Sequence, residues 1–173
     1  MESVLVPVAV IALVAISLVA RGKISRRPGG QRGARLSFVE PQRDPYPGDF
    51  TGTVNVEYSP RTDGSPDPGE IVWTWVPYEE DHSRGKDRPV LIIGRDGQWL
   101  LGLQLTSKDH DRDAADEAKW GRRWMDIGSG AWDKRGRPSE VRLDRVLRIN
   151  PATVRREGAT LNMKTYEAVT RSL

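Results

Sequence analysis

Three groups of charged residues in this chain have the types and spacing to do chemistry. The first is Tyr78-Glu79-Glu80-Asp81-His82-Ser83-Arg84-Gly85-Lys86-Asp87-Arg88-Pro89, which lies between two apolar runs. A simple hairpin connection uses about two to five residues, so a charged joint of this length reads as a binding or catalytic loop, with a solvated loop as the plainer alternative. The second is Arg142 and Asp144, whose i, i+2 spacing puts both side chains on one face of a strand. A carboxylate there serves as a base only if its surroundings raise its pKa, and a guanidinium is a poor proton donor but a good electrostatic stabiliser. On residue types alone the pair reads as a strand ion pair. The third, Asp109-His110-Asp111-Arg112-Asp113, alternates acids as a cation loop does. It lacks the glycine and the distal glutamate of an EF-hand, so it reads as a solvated helix start and no metal site is expected.

The elements that must position these residues begin at Pro68-Gly69, where the texture changes to short apolar runs divided by turns. Ile71 to Val76, Val90 to Ile93 and Trp99 to Leu105 are rich in β-branched and aromatic residues, and Arg95-Asp96-Gly97 supplies a hairpin turn between the last two. After a polar insertion come two more short strands, Glu140 to Leu143 and Val146 to Ile149. Several short strands at close spacing predict a small barrel or sandwich. Asn150-Pro151 reads as the N-cap and first residue of a short helix, and Asn162 as the cap of a second running to about Ser172. Of the six tryptophans, Trp73, Trp75 and Trp99 lie in strands and are expected to fill the barrel. Trp120, Trp124 and Trp132, in the insertion beside Arg122 and Arg123, are expected at a partner surface.

The first third of the chain differs in kind. Residues 3–20 carry no charge and are almost wholly aliphatic, and as a helix they would span about 27 Å, enough for a hydrocarbon core. A cleaved signal peptide opens with a basic region, whereas only Glu2 precedes this stretch and the basic residues Arg21, Lys23, Arg26, Arg27, Arg32 and Arg35 follow it. That asymmetry predicts a single-pass cell-membrane anchor with the C-terminal domain cytoplasmic and with anionic lipid headgroups as partners at the N-terminus. Removing those six residues and Glu2 from totals of 27 basic and 24 acidic leaves 21 against 23, a net charge of −2 for residues 37–173. Any nucleic-acid site in the folded part must therefore be local. Residues 21–67 are crowded with proline, glycine and arginine and read as a linker, with Thr53 to Tyr58 as one short strand against the domain edge. The expected organisation is a transmembrane helix at 3–20, a linker at 21–67 and a folded domain at 68–173. With no cysteine, disulfides, thiolate metal sites and a thiol nucleophile are excluded.

The motifs Pro68-Gly69-Glu70-Ile71-Val72-Trp73, Gly85-x-x-Arg88-Pro89-Val90-Leu91-Ile92-Ile93, Leu105-Thr106-Ser107 and Val141-Arg142-Leu143-Asp144-Arg145-Val146-Leu147-Arg148-Ile149 occur in an order and spacing that resembles the PemK/MazF (Kid) family of toxin ribonucleases from bacterial toxin–antitoxin modules. The resemblance covers 68 to about 172. It implies a mainly β (α+β) fold, an SH3-like small barrel with a C-terminal helix, in a protein that is commonly a homodimer. It also implies cleavage of single-stranded RNA without metal or cofactor, by attack of the ribose 2′-OH on the adjacent phosphorus to leave a 2′,3′-cyclic phosphate. A cognate antitoxin, and DNA through an antitoxin complex, are the further partners it implies.

By the same resemblance Arg88 matches the family's arginine before proline, a phosphate clamp, and His82 stands where the PemK/Kid branch has a histidine. Arg142 and Asp144 fall on that branch's proton-transfer pair. Thr106 matches the hydroxyl residue that supports phosphate binding, and Ser107, Lys86 and Arg145 join it as candidate substrate-binding residues. The chain departs from the family pattern at Arg145, where the family has glutamine, and at Ser83-Arg84, where it has Glu-Gln. It also departs in the long interval from Thr106 to Arg142 and in the N-terminal anchor. A tethered binding module without catalysis is the alternative reading.

Overall fold

The computed structural model describes residues 45–173. In chain order its elements are β1 (Glu70–Pro77), β2 (Gly85–Asp96), β3 (Trp99–Thr106), α1 (Ala114–Lys119), β4 (Trp124–Gly128), β5 (Ser139–Arg142), β6 (Leu147–Ile149), β7 (Arg156–Thr160) and α2 (Met163–Thr170). All pairings are antiparallel, in the order β4-β5-β3-β2-β1-β7. β3 carries two partners on its outer side, β6 along Leu100–Gly102 and β5 at Leu105–Thr106.

β2 and β3 meet in a tight turn, with Asp96 opposite Trp99 and Gly97 at φ +58°, a conformation that glycine adopts without steric cost. Strand alternation then sorts the apolar residues into two cores. One face presents Ile71, Leu91, Leu103, Leu105 and Val141 to Leu161, Tyr166 and Val169 from the C-terminal segment. The other presents Val72, Val76, Val90, Ile92 and Leu100 to Leu147 and Ile149. Gly102 allows the close packing of this second core, because a Cβ there would come within 2.6 Å of Val90 Cγ1 and 2.8 Å of Ile149 Cδ1. Asn162 caps α2 as expected, its Oδ1 accepting from Thr165 N at 2.9 Å.

Several expectations need correction. The expected fold class holds in outline, a mainly β, barrel-like sheet with a C-terminal helix, and strand pairing carries it as far as a half-barrel, since β4 and β7 each pair on one side and not with each other. β4 and β7 themselves were not expected. The helix expected after Asn150 is one 3₁₀ turn, Pro151–Thr153, because Val154 is extended and leads the chain back to pair with β1. Trp73, Trp75 and Trp99 do not fill the interior; the cores are chiefly aliphatic and Trp75 is exposed. Trp132 belongs to the first core instead, its indole N–H donating to Ser139 Oγ at 3.1 Å, while Trp120 is exposed as expected.

Residues 45–60, the later part of the stretch read as linker, lie along the sheet. Phe50 bridges to Val146, and Val56 bridges to Gly94, where a Cβ would stand 2.6 Å from Asn55 O. Tyr166 closes this layer by donating its hydroxyl to Ile93 O at 3.1 Å and to Glu57 O, and Tyr58 donates to Leu161 O at 2.9 Å. Among the described residues no helix is long and apolar enough to cross a membrane; the expected span at 3–20 and the first part of the linker lie outside them.

Because the Tyr166 hydroxyl joins three segments while buried, Tyr166→Phe is expected to lower the unfolding free energy by about 1–3 kcal/mol. The measurement is urea unfolding, read as a lower midpoint at unchanged slope; a midpoint equal to that of the parent chain would contradict this role.

Candidate nucleic-acid interface

On the second sheet face the aliphatic residues give way to polar ones at one end. The registers Thr74↔Arg88, Val90↔Gln104 and Thr106↔Glu140 continue the face from β1 through β2 and β3 to β5, and Arg142 follows Glu140 two residues on. Four of these side chains, Arg88, Gln104, Thr106 and Arg142, line a cavity of about 330 Å³ together with Glu79 and Trp124. Arg88 and Thr106 also line a neighbouring cleft of about 160 Å³ that contains Ser107. They stand at the divide between the two.

The cations differ in what already satisfies them. Arg142 is buried and donates to Asp144 from Nε at 3.1 Å and from Nη2 at 2.6 Å, and its Nη1 pairs with Glu79. Arg145 is buried and holds Asp49 at 2.7 and 3.1 Å while donating to Pro77 O at 2.9 Å. Lys108 is paired with Asp113, and Arg122 approaches Glu117 at 3.6 Å. Arg88 is half-buried and has no hydrogen bond or ion pair among the described residues. Across the ladder from it, Thr74 Oγ1 is a buried hydroxyl oxygen with no hydrogen-bond partner among the described residues. A planar guanidinium facing open space with no carboxylate on it suits bidentate binding of a phosphate.

Asp144 is held below the usual carboxylate range. Burial, the largest single influence, pushes it up, but the Arg142 hydrogen bonds, the Arg123 N–H at 2.8 Å and the Arg142 charge together outweigh it. A carboxylate so stabilised is a weak base, contrary to what proton transfer from a hydroxyl requires. The same pairing raises the Arg142 guanidinium above its ordinary value against the opposing effect of burial.

Of the residues singled out from sequence, the cavity brings together Arg88, Thr106, Arg142 and Arg145, with Asp144 attached behind Arg142. Ser107 belongs to the second cleft. His82 is exposed and packs edge-on against Tyr46 at 5.0 Å, and neither it nor Lys86 lines either cavity. Arg145 is committed to Asp49 and so clamps the 45–60 segment to the end of β1.

Sequence reasoning gave His110, Glu140 and Trp124 no part in this site: it read His110 into a solvated helix start, Glu140 as the first residue of a strand and Trp124 as part of a partner surface. Glu140 Oε1 accepts from His110 N at 2.8 Å, its Oε2 accepts from His110 Nδ1–H at 2.6 Å, and the imidazole stacks on Trp124 at 4.1 Å and 8°. Two clusters have the residue types for a cation, His110/Asp113/Glu117 and Asp109/Asp111/Glu140. In the first, Lys108 already neutralises Asp113 and Trp124 Nε1 donates to Glu117. In the second, His110 takes both Glu140 oxygens. Neither cluster is assigned to a metal.

Asp144 and Asp49 both lie below the usual carboxylate range: in each, burial acts upward and is outweighed by hydrogen bonds and charge, chiefly from Arg142 and Arg145 respectively. Their contribution is complete above the unfolded carboxylate value near 4 and is lost as pH falls through the lower folded values. Urea unfolding from pH 6 down to pH 3 should show stability falling below about pH 4. Asp144→Asn and Asp49→Asn should each flatten that fall; an acid limb unchanged in both variants would contradict it.

Comparison with known proteins bears on the same residues. A family model described as PemK-like, MazF-like toxin of type II toxin-antitoxin system matches residues 67–173. Among solved structures, MazE-MazF (Form-II) from Deinococcus radiodurans is similar at 18% identity and a TM-score of 0.44, over 64% of this chain and 94% of that one. No curated protein matches in sequence. The family match takes in β1 to α2 and every strand that lines the cavity, and by it the chain belongs to the PemK-like, MazF-like toxins of type II toxin–antitoxin systems.

Proposed function

We propose that this protein is a toxin endoribonuclease that cuts single-stranded RNA without metal, through 2′-OH attack and a 2′,3′-cyclic phosphate. One observation carries the reading: Arg88 is a guanidinium without a partner among the described residues, in a cavity where the other arginines are already matched by carboxylates. A phosphodiester seated on Arg88 would lie beside Thr106 at the divide between the two cavities, leaving room for nucleotides on both sides. Arg142 would face the developing charge on the phosphorane, and its pairing with Asp144 and Glu79 fixes its direction in advance.

Membership of a family of type II toxins supports a cognate antitoxin and a homodimer as further partners. The uncharged stretch 3–20 and the basic residues after it support tethering to the membrane with this domain on the cytoplasmic side. The second reading, a binding module that holds RNA or protein without cutting, draws on the neutralisation of Arg142 and the weak basicity of Asp144.

The full-length chain is expected to cleave a single-stranded RNA in EDTA and to leave cyclic phosphate ends. Arg88→Ala is expected to lower kcat/KM by about 10²–10³-fold, the cost of removing one preorganised donor from a developing oxyanion. RNA retained uncut would favour the binding module, and cleavage unchanged by Arg88→Ala would overturn the assignment.

A further inference from the structure

Transesterification at phosphorus needs an acceptor for the 2′-OH proton, and the residues named from the family motif do not supply a good one. Asp144 is a weak base locked to Arg142 and His82 lies outside both cavities; Glu79, a loop carboxylate in the same cavity, is paired with the same guanidinium. We propose that His110, oriented by Glu140, takes the 2′-OH proton in the cavity that holds Arg88, Thr106 and Arg142; the proposal rests on the ribonuclease reading above.

His110 lines that cavity although its side chain is only 8% exposed. Its Nδ1 proton is committed to Glu140, which as an ionised carboxylate can only accept, so the free lone pair is on Nε2. Nε2 has no hydrogen-bond partner among the described residues, and it is not one of the polar side-chain atoms sealed from solvent without a partner. Two features fix the ring. Glu140 grips residue 110 at both its backbone N–H and its Nδ1–H, and Trp124 lies flat against the imidazole. Glu140 is also the cross-strand neighbour of Thr106 and stands two residues before Arg142, which places the base and the phosphate-binding groups on one rigid face.

In the reaction, His110 Nε2 accepts the proton as O2′ forms its bond to phosphorus and the P–O5′ bond breaks. The departing O5′ takes a proton from water, which leaves a 2′,3′-cyclic phosphate, a 5′-hydroxyl and an imidazolium that returns its proton to solvent. Glu140 stabilises that imidazolium, as a buried carboxylate on Nδ1 does in hydrolytic triads. Other charged groups beside the ring are Asp113 and Glu117, whose carboxylates lie within 4.8 Å of one ring nitrogen, Lys108, Arg122 and Arg142 in the same cavity, and Asp111 and Asp126 in a smaller one of about 100 Å³ that His110 also lines.

The test uses the full-length chain and one single-stranded RNA, with urea unfolding of each variant alongside. Relative to the parent, His110→Gln is expected to lower kcat by about 10²–10⁴-fold with little change in KM. His110→Ala is expected to recover rate in proportion to added imidazole. If Arg88→Ala abolishes cleavage while His110→Gln keeps the parent kcat, this inference falls and the ribonuclease reading stands. If His110→Gln is inactive and imidazole restores nothing to a folded His110→Ala, residue 110 is a structural clamp and the inference is overturned. If the parent chain cuts no RNA, both fall together.

Discussion

A sheet face that turns from aliphatic to charged partway along its strands must neutralise each charge that it buries. An ionised group taken out of water without a partner costs several kcal/mol, and Arg142, Arg145 and Glu140 are each at most 6% exposed. Their partners come from four different places: Asp144 on the same chain turn, Glu79 in the loop after β1, Asp49 from the 45–60 segment and His110 from the insertion. This one requirement draws the outlying segments onto the sheet end. It also leaves Arg88, half-buried and open to the cavity, as the cavity's guanidinium that no carboxylate among the described residues holds.

The insertion between β3 and β5 follows the same logic. Its length would otherwise be a burden on a small domain, since loops of this size rarely lack structure of their own. Here Trp132 enters the first core, β4 pairs with β5, and Trp124 stacks on a histidine held by β5. The insertion thereby forms one wall of the cavity instead of a flap over it. Arg145 plays the matching part on the other side, where the family motif's glutamine position now anchors residue 49.

What the sequence made legible is what local pattern carries. β1, β2 and β3 announce themselves through β-branched and aromatic runs with a glycine turn, and the Asn162 cap is a local hydrogen bond. Arg88, Thr106 and Arg142 could be brought to one place because motif order implies strand order. β4 and β7 were hidden because a five-residue segment such as WMDIG or REGAT is too short to show a period and becomes a strand only when a neighbour offers an edge. Asp49 and Arg145 are 96 positions apart, and no periodicity reports such a pair. His110 sat within a run of acids that looks solvated, and its meaning depends on Glu140, 30 residues on. The tryptophans misled for a related reason: residue type does not say what covers a side chain, so Trp75 in a strand is exposed while Trp132 in the insertion reaches the core.

The dependence of the whole scheme on an open guanidinium can be measured without any chemistry. Full-length protein would be titrated with a single-stranded oligonucleotide carrying 2′-deoxyribose at the reactive position, at several salt concentrations. With Arg88 as a phosphate contact, Arg88→Ala should weaken binding and reduce the slope of log K against log salt by about 0.7 relative to the parent chain. Equal affinity and an equal slope in the variant would mean that Arg88 carries no phosphate, and the nucleic-acid reading of this cavity would be contradicted.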